Sequence, residues 1–63
     1  MGMSKQADIG RMWAKRVIAN MGLREKSRCL NEYETAKKRI DKLGLDGIGY
    51  EAAIKLLTEY LGI

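Results

Sequence analysis

Few side chains in this sequence could support catalysis. The chain has one cysteine, Cys29, and no histidine, so neither a Ser-His nor a Cys-His pair can be assembled. Glu32 and Glu34 stand two positions apart on an expected helix and point in different directions, which excludes an acid–base pair between them. Cys29 is interpreted as a small apolar residue beside the core. We therefore expect no enzyme activity, no small-molecule substrate and no cofactor.

The segment from Asp41 to Ala52 resembles an EF-hand calcium loop. Asp41 stands at the first ligand position and Ile48 at the central apolar position. However, Leu43 and Leu45 occupy two other ligand positions, and Ala52 replaces the bidentate glutamate. These side chains offer no oxygen ligand. We expect no metal site and interpret residues 44–49 as a Gly-rich connection.

Positive charge is concentrated in the first two-thirds of the chain. Residues 1–42 contain eleven Lys/Arg and five Asp/Glu, a net charge of +6. Residues 43–63 contain one Lys and three Asp/Glu, a net charge of −2. If the basic residues converge, they form a phosphate-binding surface whose affinity falls as salt rises. The candidate nucleic-acid-binding residues are Arg11, Lys15, Arg16, Arg24, Lys26, Arg28, Lys38 and Arg39.

The same charges allow a second interpretation, in which they form the solvated face of a lysine-rich helical protein. Glu34–Lys38 and Glu25–Arg28 would then be ordinary surface ion pairs, each contributing a few tenths of a kcal/mol. In the nucleic-acid interpretation, Lys26 and Arg28 lie on a flexible segment and reach a phosphate backbone. Both interpretations stay open at this point.

Three helices are predicted from a repeated stop signal. Residues 21–23, 43–45 and 61–63 each read apolar, Gly, apolar, the pattern of a Schellman-type helix end. Helix 1 is expected over about 5–21 with Ser4 as N-cap, and helix 3 over about 50–61. Helix 2 is expected from 24 or 31 to 43, with Asn31 and Glu34 as a capping box. The sequence thus predicts an all-α three-helix bundle and a single domain over residues 1–63, of which 1–4 are disordered or a cloning remnant.

The apolar residues of helix 1 are assigned to the core, whereas those of helix 3 are assigned to the core or to a protein interface. Trp13 stands between Ile9 and Val17 in the apolar stripe of helix 1 and is predicted to anchor the core. Helix 3 is apolar over more than half its circumference. Either it is wedged between the other helices, or its excess face meets another protein or a second copy of this chain. The candidate interface residues are Ile54, Leu56, Tyr60 and Leu61.

Residues 37–45 and 50–61 are loosely similar to the two-helix SAP module, and the resemblance implies DNA binding. Tyr50 and Glu51 replace the basic residue that normally follows the module's loop glycine. A helix-turn-helix is disfavoured because the connection at 44–49 is longer than its usual turn. No family is identified from this similarity.

The function expected from the sequence is therefore a small basic helical binding module, associated with nucleic acid through phosphate contacts. The alternative is a protein-interaction module that uses helix 3. A single cysteine is typical of a reducing, cytoplasmic setting. The chain has no apolar run of the ~20 residues that a membrane span requires, so we expect no membrane partner.

Overall fold

The computed structural model describes residues 5–63, which form three α-helices. Helix α1 spans Lys5–Met21, α2 spans Leu30–Lys42 and α3 spans Gly47–Leu61. The predicted all-α three-helix bundle is confirmed. Ser4, the predicted N-cap of the first helix, and the rest of residues 1–4 lie outside the described residues. Within residues 5–63, no helix combines the length and apolar character needed to cross a membrane.

The predicted glycine signals do end the three helices. After α1, the Leu23 N–H donates to the Ile18 carbonyl at 3.1 Å, which is the long hydrogen bond of a Schellman motif. All three glycines have the left-handed conformation, with φ of 64° at Gly22, 70° at Gly44 and 74° at Gly62. The sequence was enough to predict these helix ends, because this kind of cap depends only on a left-handed glycine and the apolar residue that follows it.

The start of α2 differs from the predicted capping box. Cys29 occupies the N-cap position and makes no side-chain hydrogen bond to the helix. Asn31 already lies within the first turn, so the predicted pair with Glu34 is wrong. The earlier of the two predicted starts, near residue 24, is also wrong, because residues 24–29 are not helical.

Helix α3 begins earlier than predicted. The Asp46 carboxylate accepts a hydrogen bond from the Gly49 N–H at 2.8 Å, so Asp46 is the N-cap. An N-cap side chain satisfies one of the otherwise unpaired N–H groups of the first turn. This cap offsets the poor helix propensity of Gly47 and Gly49, and part of the predicted Gly-rich connection is helical.

The core lies around α3, which packs against both other helices. Helix α3 therefore lies between the other two helices, as one of the two expectations for its wide apolar face requires. Tyr33, Tyr50 and Ile54 are among the half-buried residues that pack against this core. The buried core residues are Ala14, Val17, Ile18, Leu23, Ala36, Ile40, Ala53, Leu57 and Leu61.

Helices α1 and α3 approach each other most closely at two glycines. A Cβ placed on Gly10 would overlap the Gly49 carbonyl group, so only glycine fits at this crossing. A Cβ on Gly49 would lie 3.1 Å from the Gln6 carbonyl oxygen, which is also tight. The backbones therefore touch directly, and this contact sets the rotation of α1 about its own axis.

The connection between α1 and α2 is bound to the end of α3. The Lys26 N–H donates to the Tyr60 carbonyl at 2.7 Å, and the Arg28 N–H donates to the Leu61 carbonyl at 2.8 Å. The Tyr60 hydroxyl donates to the Leu23 carbonyl at 2.9 Å. The two backbone bonds use carbonyls that the end of α3 leaves unpaired. The segment expected to be flexible is thus held by backbone hydrogen bonds.

Candidate nucleic-acid interface

Helix α1 presents a row of residues toward α2 that mixes aromatic, cationic and amide groups. Trp13, Arg16, Val17 and Asn20 follow the i, i+3, i+4, i+7 spacing of one helix face. Val17 is buried, whereas Arg16 and Asn20 are exposed. The row runs beside the face that packs on α3 and borders the space between the two helices.

Helix α2 contributes the opposite wall with the same spacing. Thr35, Lys38, Arg39 and Lys42 stand at i, i+3, i+4 and i+7, and all four are exposed. Leu43, the residue after the helix, closes one end. The buried residues Ala36 and Ile40 lie on the core face, so core packing directs the cationic row toward α1.

Together the two rows enclose an open groove of about 560 Å³. Its size falls within the range of sites that hold small ligands or single chemical units of a larger one. Four of its residues are cationic and none is acidic. We call it the basic groove, lined by Trp13, Arg16, Val17, Asn20, Thr35, Lys38, Arg39, Lys42 and Leu43.

The cations of the basic groove have no acidic partner among residues 5–63. The ion pair that this part of the chain contains joins Arg11 to Asp8, 2.7 Å apart, away from the groove. The predicted surface pairs Glu34–Lys38 and Glu25–Arg28 do not form within 4 Å there. Cations that border a single groove attract an anion placed in it together, because their electrostatic potentials add.

Trp13 lies in the basic groove and outside the core, so its prediction as a core anchor is wrong. Its side chain is half-buried, and the Arg16 guanidinium carbon lies 5.5 Å from the centre of its ring. This distance is that of a cation–π contact. Ile9, its neighbour in the predicted stripe, is 44% exposed. The Gly10–Gly49 crossing turns both residues away from the core.

The predicted nucleic-acid-binding residues divide into three groups. Arg16, Lys38 and Arg39 line the basic groove. Arg11 and Lys15 do not line it, and Arg11 instead borders a smaller groove between α1 and α3 with Lys55 and Glu59.

Arg24, Lys26 and Arg28 form the third group, in the connection that is bound to α3. Their side chains are exposed, and the backbone of Lys26 and Arg28 has positive φ of 57° and 56°. They do not line the basic groove.

The predicted protein-interface residues of α3 are mostly occupied within the fold. Leu61 is fully buried, so its side chain has no surface to offer a partner. Ile54, Leu56 and Tyr60 are half-buried and pack against the core. Leu56 retains some exposure in the smaller groove between α1 and α3.

Sequence reasoning did not assign Trp13, Asn20, Thr35 and Lys42 to the candidate site. Lys42 belongs to the same cationic run as Lys38 and Arg39, and its i+4 distance from Lys38 was a usable signal. Trp13 stands three residues before Arg16, a spacing that places the two side chains on one helix face. Asn20 and Thr35 carried no signal, because neither residue type is unusual on a helix surface.

The EF-hand-like segment forms the α2–α3 junction. Asp41 lies in α2, and the Asp46 carboxylate is engaged in the cap of α3. Across residues 5–63, no group of three or more Cys, Asp and Glu side chains is arranged to hold a metal ion. No protein-family model matches the chain, and comparisons with curated proteins and with solved structures give no match either.

Proposed function

We propose that this protein is a non-catalytic module that binds nucleic acid through phosphate contacts in the basic groove. One observation carries the proposal: two helices direct four cations into a single concave surface without an acidic partner among residues 5–63. Arg16 and Arg39 offer planar guanidinium groups that bind phosphate oxygens through paired hydrogen bonds. Lys38 and Lys42 add compact point charges. Sequence specificity is not expected from phosphate contacts alone.

Electrostatic interactions favour binding of a polyanion in the basic groove. Unpaired cations repel each other, and a polyanion relieves that repulsion while it releases its own condensed counterions. A surface whose cations are already paired with acidic side chains would not gain binding free energy in this way. We also propose a cytoplasmic setting, because the single Cys29 suits a reducing compartment.

The test is a salt titration of binding to fluorescently labelled oligonucleotides, both single-stranded and duplex. Four phosphate contacts correspond to a slope of log Kobs against log salt of about −3 for a single strand. Absence of binding at low salt contradicts the proposal. Binding that does not depend on salt contradicts its phosphate mechanism.

A matched pair of variants locates the surface. Arg16 and Lys15 are adjacent, exposed cations on α1, but only Arg16 lines the basic groove. Arg16→Gln should weaken binding about tenfold and flatten the salt slope by about one contact, whereas Lys15→Gln should leave both nearly unchanged. Equal losses in the two variants would mean that net charge, rather than the groove, governs binding.

The alternative protein interface on α3 has less support from the structure. Leu61 is buried, and the other three candidates already pack on the core. Measurement of the mass in solution across a dilution series tests self-association, and exchange protection of α3 tests whether its outer face is covered.

A further inference from the structure

The only tryptophan of the chain stands where phosphate binding alone does not require it. A residue of this size normally contributes most when it is buried in a core. Trp13 is instead half-buried at the wall of the basic groove, beside three exposed cations of α2. Phosphate groups gain little from an aromatic face, so the ring indicates a second component in the ligand.

Arg16 makes this wall a stacking surface. Its guanidinium carbon lies 5.5 Å from the centre of the Trp13 ring, so a planar cation and a planar aromatic group occupy the same patch. Unstacked bases bind to both kinds of group, on aromatic rings and on guanidinium planes. The cations Lys38, Arg39 and Lys42 across the groove supply contacts for the phosphates next to such a base.

The arrangement favours a single strand over a duplex. In a duplex, the faces of the bases are stacked inside and only their edges are exposed in the grooves. No base face of a duplex can therefore reach Trp13. The α1 wall from Trp13 to Asn20 is about 10 Å long at 1.5 Å per residue, which suits a short stretch of single strand.

We propose that the basic groove binds single-stranded nucleic acid with a base stacked on the Trp13–Arg16 pair. The inference rests on the proposed function and specifies its ligand. The edge of the Arg16 guanidinium and the α2 cations bind phosphates, while the guanidinium face and the Trp13 ring stack with one base that has left its own strand's stack. Stacking tolerates any base, because every base has a π face, so the strand is bound with little sequence preference.

The experiment compares a base-carrying strand with an abasic strand that has the same number of phosphates, and adds a duplex and a mononucleotide as further ligands. A thymidine oligonucleotide, an abasic oligonucleotide of equal length, a duplex and thymidine monophosphate are titrated into the protein at low salt. Because Trp13 is the only tryptophan, its fluorescence reports the groove directly. We expect the thymidine strand to quench it and to bind about tenfold tighter than the abasic strand, with the duplex and the monophosphate weaker than the thymidine strand.

Variants of Trp13 separate stacking from folding. With labelled oligonucleotides, Trp13→Leu should weaken thymidine-strand binding by about 5- to 150-fold, the range that corresponds to one stacked base. Trp13→Phe, which keeps an aromatic face, should retain most of the affinity. Far-UV circular dichroism and thermal unfolding show whether both variants are folded. A loss of affinity for the abasic strand as large as that for the thymidine strand contradicts stacking on Trp13.

The outcomes distinguish the inference from the proposed function. Equal affinity for abasic and thymidine strands, tighter binding of the duplex, or monophosphate binding as tight as the strand overturns the stacking inference and leaves phosphate binding in place. If none of the strands binds at low salt, the proposed function fails together with the inference.

Discussion

Helix α1 meets its two neighbours in opposite ways. Against α3 the backbones touch at Gly10 and Gly49, where no Cβ fits. Against α2 the contact is less extensive, and long side chains such as Arg16 and Arg39 border an open groove. Close packing of small residues gives the first interface its stability, because interiors tolerate neither gaps nor excess volume. The second interface keeps its polar groups exposed, so under the proposed function one side of α1 stabilises the fold and the other binds the ligand.

The largest expected effect is on the closely packed side. Gly10→Ala should destabilise the protein by about 3 kcal/mol, since the new methyl group would overlap backbone atoms that cannot rotate away. This is most of the stability available to a domain of this size. Thermal unfolding followed by circular dichroism measures the change.

Gly47→Ala is the matched control, because a Cβ there meets no atom within 4 Å and alanine favours a helix. It should be neutral or stabilising by up to about 1 kcal/mol. A Gly10→Ala variant as stable as the parent would show that α1 and α3 can separate without loss, and the contrast between the two interfaces would disappear.

Substitution of a core residue should cost more stability than substitution of a groove residue. Leu57 is fully buried in α3, and Leu57→Ala should cost about 3 kcal/mol through lost burial and a cavity. Trp13→Leu should cost about 1 kcal/mol or less, because Trp13 lies outside the core. Urea unfolding of both variants gives the comparison. A larger loss at Trp13 than at Leu57 would return the tryptophan to a structural role.

A smaller effect is expected where the α1–α2 connection meets α3. Tyr60→Phe removes the hydroxyl that donates to the Leu23 carbonyl and should cost about 1 kcal/mol. Tyr50→Phe serves as control, since its hydroxyl makes no hydrogen bond within the described chain, and should change stability by less than about 0.5 kcal/mol. Amide exchange at Lys26 and Arg28 should accelerate in the first variant alone. Unchanged exchange there would mean that the backbone bonds hold the connection without the tyrosine.

The smallest effect on stability is expected from the groove itself. The double change Arg39→Gln and Lys42→Gln should alter the free energy of unfolding by less than about 0.5 kcal/mol, because both side chains are exposed and neither has an ion-pair partner among residues 5–63. Any change should be a gain at low salt that vanishes at high salt, since like charges are removed. Thermal unfolding at two salt concentrations measures it. A clear loss of stability would place these cations among the residues that hold the fold.

The sequence predicts local features of this molecule well. Local sequence predicts the span of α1 and the helix ends at Gly22, Gly44 and Gly62. Helix caps can be predicted in this way because they depend only on positions a few residues apart. The N-cap of α2 and the start of α3 were not predicted, although residue 31, one of the two expected starts of α2, lies next to the observed start at Leu30. Asn31 and Asp46 are both good N-cap types, and the choice of the position that caps depends on where the chain enters the bundle.

Trp13 was wrongly assigned to the core because the spacing of apolar residues defines a wide apolar arc on the helix. It does not show which part of that arc faces the core. On α1 this arc covers about half the circumference, and the sequence pattern does not distinguish the edge that is buried from the edge that is exposed. The Gly10–Gly49 contact decides the rotation, and glycine adds nothing to an apolar pattern. Basic residues near the groove could be named from charge alone, yet their division among three surfaces needed the tertiary structure.

The contact between Gly10 and Gly49 also has a consequence for how the chain acquires its structure. It joins α1 to α3, so most of the packing of α1 forms only after α3 has been made. A solitary helix of this length is marginal in water. Until α3 is present, the apolar side chains of α1 that pack against it lie exposed, and exposed apolar surface favours association with other chains. Folding is completed only when the final helix arrives, and it should be slower than in bundles whose helices pair with their sequence neighbours.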